Sequence, residues 1–233
     1  MKKDMTKLGI TLMLYASIAC ASLAVVYAFT KESIDNQSEI QLQASLKELF
    51  PEAILFEPIQ DLSSPNPNIK FETAYEVKSE NAALGLAVKA TGPSYGGNAT
   101  LLVGVDLHRS IAGVRVMALN DTPGLGMNAS NPTYYVDKTN KVTFLGQFEG
   151  KFLTDPFEVK KDVVAITAAT ISSASLTNII KAVGDAAIAY MDQKAMAAPA
   201  EGGTPAEGAV PAEGGTSAEA SANIGAQPQA GGK

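Results

Sequence analysis

From Leu8 to Phe29 the chain runs for 22 residues without a charged side chain, reading LGITLMLYASIACASLAVVYAF. At a helical rise of about 1.5 Å per residue, such a stretch is long enough to cross the roughly 30 Å hydrocarbon core of a bilayer. Lys2, Lys3 and Lys7 precede it, whereas Lys31 beyond it is paired with Glu32. The positive-inside rule therefore predicts a cytoplasmic N-terminus at residues 1–7 and a single transmembrane helix at 8–29 in the cytoplasmic (inner) membrane. Everything after Phe29 then lies on the extracytoplasmic side. Two other readings compete. A cleaved signal peptide has an apolar region of only about 7–15 residues, shorter than this one. A lipoprotein signal would place Cys20 just after a short apolar run, but here the apolar run continues for nine residues past Cys20.

Beyond the span the chain changes character twice. From Glu32 to Phe50 the apolar positions Ile34, Ile40, Leu42, Leu46, Leu49 and Phe50 alternate with polar ones, as in an amphipathic helix stopped by Pro51. Leu62–Lys70 contains Pro65 and Pro67 and reads as a loop. Short Val/Leu-rich runs at Phe71–Lys78, Leu84–Ala90, Ala99–Leu107 and Ile111–Leu119 read as strands, the last two forming a hairpin that turns at His108–Ser110. Asn120–Pro132 is a long polar loop, and Asn140–Glu158 is strand and turn material. From Ser172, Leu176, Ile179, Ile180, Val183, Ala187 and Met191 recur at helical spacing. The region 30–195 thus reads as one α+β domain, a largely antiparallel sheet with flanking helices. The remainder, 196–233, repeats PAEGGT-like hexads from Pro199 and has too little apolar surface to offset the entropy of ordering, so it reads as a disordered spacer.

Composition narrows the chemistry. A net charge of -6 without a Lys/Arg cluster argues against nucleic acid as a partner. One cysteine and one histidine leave no set of ligands for a Cys/His metal centre. His108 reads as a solvent-facing turn residue. Redox work by this chain would need a borrowed cofactor.

Two segments stand out. In Thr167-Ala168-Ala169-Thr170-Ile171-Ser172-Ser173, small residues and hydroxyls sit where the closing helix begins. Free backbone N–H groups and the helix dipole there favour a phosphate, although a Ser or Thr in such a place is most often only a cap. In Asn120-Asp121-Thr122-Pro123-Gly124-Leu125-Gly126, Pro123 fixes one dihedral and Gly124 and Gly126 permit positive φ. This is either a tight ligand-wrapping loop or a plain surface loop. Tyr95, in Gly92-Pro93-Ser94-Tyr95-Gly96-Gly97, could stack on a ring or pack in the core.

In this order and spacing the segments resemble the FMN-binding domain family, which includes the G-type subunit of the Rnf electron-transport complex and the C-type subunit of the sodium-pumping NADH–quinone reductase. The likeness covers the anchor and about residues 30–195. Thr167–Ser173 is similar to the family's Ser/Thr-Gly-Ala-Thr motif, Asp121–Gly126 to its Glu-Thr-Pro-Gly-Leu-Gly loop, and Tyr95-Gly96-Gly97 with Leu102–Val105 to an upstream turn and strand. The resemblance implies one FMN esterified through its phosphate to Thr170 by a flavin transferase. It also implies a cofactor site that includes Thr167, Ala168, Ala169, Ser172, Ser173, Asp121, Thr122, Gly124, Leu125, Gly126 and Tyr95. The implied role is that of an electron-carrier subunit of an ion-translocating ferredoxin:NAD oxidoreductase, not catalytic on its own. Its implied partners are other membrane subunits and lipid. The C-type subunit of the quinone reductase and a flavin-free anchored binding protein are the alternatives. Three positions depart from the pattern: Ala168 replaces glycine, which matters if φ there is positive; Val164 stands where the transferase pattern has aspartate, the nearest acid being Asp162; and Asp121 replaces glutamate.

Overall fold

The computed structural model describes residues 2–80 and 82–197; the hexad-repeat tail, expected to be a disordered spacer, lies outside the described residues. The apolar span and the amphipathic stretch form one helix, α1 (Lys2–Leu49), which ends just before Pro51 as the proline predicts. Its 18-residue apolar window has a mean hydropathy of 2.0 and is wholly exposed, so the helix is long and apolar enough to cross a membrane.

Five strands follow in one antiparallel sheet of order β1-β2-β3-β4-β5: β1 (Leu55–Pro58), β2 (Lys70–Lys78), β3 (Ala83–Ser94), β4 (Gly97–Asp106) and β5 (Ile111–Ala118). The short edge strand β1 has no counterpart among the expected strands, because Pro58 and only four residues give it little period-two signal. Strands β3 and β4 run past their expected ends and join through the two-residue turn Tyr95-Gly96, with Ser94 opposite Gly97. A second sheet of two short strands, β6 (Tyr135–Asp137) and β7 (Val142–Thr143), lies in the segment that follows. The loop after β5 contains a 3-10 turn at Gly126–Ser130.

Alternation along β4 divides the core in two. Leu101, Val103 and Val105 face α2 (Thr170–Ala197) and meet Leu176, Ile179, Ile180 and Val183, all fully buried. Leu102 faces the other way, where Leu46, Leu49 and Phe50 at the end of α1 pack with Val77 and Ala87. Gly104 and Gly113, cross-strand partners, leave the flat surface on which Phe50 and Leu49 rest; a Cβ on Gly113 would come within 2.7 Å of the Leu49 side chain. The far end of α2 is fixed to the sheet by the Lys194–Glu76 ion pair and to the β4–β5 turn by Arg109–Asp192. Both helices therefore pack on the sheet, one on each face, with the Tyr95-Gly96 turn and the start of α2 at one end.

Candidate functional site

Three segments distant in sequence converge at that end of the sheet: the β3–β4 turn, the loop after β5, and the first turn of α2. Asp121 knits them together. Its carboxylate, 3% exposed, accepts the Gly96 N–H at 2.8 Å and the Ser94 hydroxyl at 2.7 Å. The Ser172 hydroxyl in the first turn of α2 is a third donor. Burial pushes the Asp121 carboxyl up, but the hydrogen bonds from Gly96, Ser172 and Ser94 outweigh it and hold the group below the usual carboxylate range. The segments press closely enough that glycine is required. A Cβ on Gly96 would run into the carbonyl of Asn120, and one on Gly126 would collide with the side chains of Asp121 and Ser172.

Above this latch lies a cleft of about 460 Å³, lined by Tyr95, Thr122, Leu125, Gly126, Ala168, Ala169, Thr170, Ile171 and Ser172. That volume falls within the roughly 300–1,000 Å³ of small-molecule and cofactor sites. Tyr95, Leu125 and Ile171 offer 65%, 38% and 63% of their surfaces to solvent, so three apolar side chains flank the opening unpaired. Thr170 is the first residue of α2 and is exposed. Eight of the twelve residues singled out in the sequence line this one cleft.

The other four take different places. Asp121 lies beneath as the latch just described. Gly124, at φ 75°, turns the loop and its carbonyl accepts the Asn128 side-chain amide. Ser173 is buried, donating to the Ala169 carbonyl and accepting the Ile166 N–H, so its hydroxyl closes the helix start instead of facing the cleft. Thr167 is exposed, and its N–H donates to the Tyr134 hydroxyl at 3.3 Å. Sequence reasoning missed Ile171, an apolar residue hidden among hydroxyls. It also missed Ser94 and Gly96 as supports, since nothing local ties them to Asp121, 25 or more residues away.

The departures from the family pattern have structural counterparts. Ala168 has φ 59°, a left-handed conformation that costs an alanine about 1–2 kcal/mol and a glycine almost nothing. The backbone of Val164 is held by Gln147, which accepts the Val164 N–H at 2.7 Å and donates to its carbonyl at 3.1 Å. Asp162 does not substitute for the missing acid. Its carboxylate is occupied by Lys151 and by the N–H groups of Phe157 and Glu158. Its burial is outweighed by these bonds, so it too is held below its ordinary value.

The stretch of chain that carries the cleft also matches known proteins. Residues 94–185, which contain every lining residue of the cleft, match the FMN-binding domain, and residues 1–49 match the RnfG N-terminal region. The G-type subunit of the ion-translocating oxidoreductase complex of Photorhabdus laumondii is 30% identical over 194 residues, covering 78% of this chain and 89% of the relative. Its namesake from Erwinia tasmaniensis is 29% identical, covering 75% and 86%. The G-type subunit of the Na(+)-translocating ferredoxin:NAD(+) oxidoreductase complex of Acetobacterium woodii is 28% identical, covering 76% and 88%. The chain belongs to this family of G-type subunits of ion-translocating oxidoreductase complexes and carries its FMN-binding domain.

Proposed function

We propose that this chain is the FMN-bearing electron-carrier subunit of a membrane-bound ion-translocating oxidoreductase, its flavin esterified through phosphate to the Thr170 hydroxyl. One observation carries the reading: an exposed threonine opens α2 at a cleft with apolar flanks, within the matched FMN-binding domain. The residues fit the group. Small Ala168 and Ala169 and the bare Gly126 keep the cleft open, and the first turn of α2 presents N–H groups and the positive end of its dipole to a phosphate. Tyr95, Leu125 and Ile171 offer apolar surface to a planar ring system, while Thr122 offers a hydroxyl. When bound, FMN supplies the electron acceptance and donation that these side chains lack. The protein supplies position, and the Asp121 latch keeps the three walls of the cleft in register.

The match of residues 1–49 to the RnfG N-terminal region favours the G-type subunit over the C-type subunit of the quinone reductase. In this reading α1 anchors the chain in the cytoplasmic membrane with Lys2, Lys3 and Lys7 inside, and the domain stands on the extracytoplasmic side beside other membrane subunits. A tether there keeps the cofactor from diffusing away. Co-expression with a flavin transferase, followed by denaturing electrophoresis under ultraviolet light, tests the assignment. Wild-type chain should fluoresce and Thr170→Ala should be dark. A dark wild type would overturn flavin attachment, and a fluorescent Thr170→Ala would overturn the site.

A further inference from the structure

Thr170 borders a second hollow. A recess of about 370 Å³ beside the helix start, partly polar and partly apolar, has Thr170, Glu158, Lys160 and Asn178 in its lining, together with Phe157 and Val159. Thr170 lines both recesses: one is flanked by Tyr95, Leu125 and Ile171, whereas the other holds one cation, Lys160, and one anion, Glu158.

The loop that carries the cation is held firmly. Phe157 is buried and stacked on Phe148, the Asp162 carboxylate accepts the Phe157 and Glu158 N–H groups, and the Lys160 N–H donates to the Val163 carbonyl at 2.9 Å. Three lysines lie on or against this loop. Lys151 is paired with Asp162 and Asp155, and Lys161 is paired with Glu158. Lys160 alone of the three has no acidic partner among the described residues, and its backbone is kept at φ 73° beside the start of α2. Glu158, the carboxylate in the lining, is paired with Lys161 outside it, so Lys160 is the cation of the recess that has no acidic partner among the described residues.

We infer that Lys160, in the recess that Thr170 borders, is the counter-cation for the phosphoryl group esterified to Thr170. The inference rests on flavin attachment at Thr170. A phosphate bonded both to the ribityl chain and to a threonine is a diester with a single negative charge, which one ammonium matches. Lysine serves phosphates well as such a point charge. Lys160 is a positioning residue here: it would fix which way the ester points, and thereby the ring, without taking part in electron transfer.

The test is a thermodynamic cycle on the full-length chain in detergent, with and without co-expressed flavin transferase, for wild type, Lys160→Gln and, as a control outside both recesses, Lys138→Gln. The readout is the rise in apparent Tm on flavin attachment, at low and high salt. Both lysines are exposed, so the flavin-free variants should melt like flavin-free wild type. Attachment should raise the Tm of wild type and Lys138→Gln equally, and that of Lys160→Gln by about 2–4 °C less, the deficit shrinking in high salt. Equal rises in all three proteins, or an equal deficit in Lys138→Gln, would overturn the role of Lys160. A wild type that stays non-fluorescent after co-expression would instead overturn flavin attachment itself, and this inference with it.

Discussion

Asp121 accepts the backbone N–H of Gly96 at 2.8 Å, joining the tip of the β3–β4 hairpin to a loop 25 residues further along the chain. The same carboxylate takes the Ser94 and Ser172 hydroxyls, so one side chain closes hairpin, loop and helix start into a single wall. Replacing it by alanine would leave three donors unsatisfied at a buried position. Asp121→Ala should cost about 2–3 kcal/mol of stability, read as a lowered midpoint in urea unfolding of the detergent-solubilised chain. Asp121→Asn, which keeps an acceptor, should cost less.

The direction of the carboxyl shifts fixes the acid limb of the stability profile. Asp121 and Asp162 are both held below their ordinary values in the folded chain. Each therefore contributes stability that is fully present above the unfolded carboxyl value of about 3.9 and lost as the pH falls through the lower folded value. Thermal melts should show an apparent Tm that is flat in this contribution from neutral pH down to about 5 and drops below about 4. The drop should be shallower in Asp121→Asn, and an unchanged profile in that variant would contradict the hydrogen-bonding account.

Ala168 invites a gain. At φ 59° the methyl group is strained, and glycine relieves it at some cost in unfolded-chain entropy. Ala168→Gly should stabilise the flavin-free chain by about 0.5–1 kcal/mol, measured by the same urea titration. It should also bring the Thr167–Thr170 sequence to the family motif. Loss of stability in this variant would mean that the alanine side chain makes contacts outweighing the strain.

Gly126 predicts the opposite. Its missing side chain is the space taken by Asp121 and Ser172, so Gly126→Ala must push the loop off the helix start. A loss of about 1–3 kcal/mol is expected, as for overpacking of a close contact, together with weaker flavin fluorescence after co-expression with the transferase.

The docking of α1 supplies a control remote from the cleft. Leu46 is 1% exposed against Val77, Ala87 and Leu102. Leu46→Ala should destabilise the domain by about 2–4 kcal/mol yet leave the fraction of folded chain that becomes fluorescent unchanged. A selective loss of flavin would instead tie this face of the sheet to the cofactor.

The sequence by itself determined the parts governed by local pattern. An uncharged stretch of 22 residues has few ways to exist other than as an apolar helix, and Pro51 stops it. Short Val/Leu-rich runs between turn residues marked four of the five sheet strands, and helical spacing marked Leu176, Ile179, Ile180, Val183 and Ala187 on the buried face of α2, though not Thr177, Ala182 or Ala186. Resemblance to the FMN-binding domain family, and not the pattern of any one segment, grouped Tyr95, Thr122, Leu125, Gly126 and Thr170. Tertiary structure alone decided what those residues do. Asp121 and Ser173 look alike in sequence as polar site candidates, yet one latches three segments from below and the other closes the start of its own helix. A hydrogen bond across 25 residues leaves no trace in local spacing. Nor does a left-handed alanine announce itself at position 168, or an unpaired lysine at 160. Backbone strain and charge pairing depend on which neighbours the fold supplies, and only the folded chain supplies them.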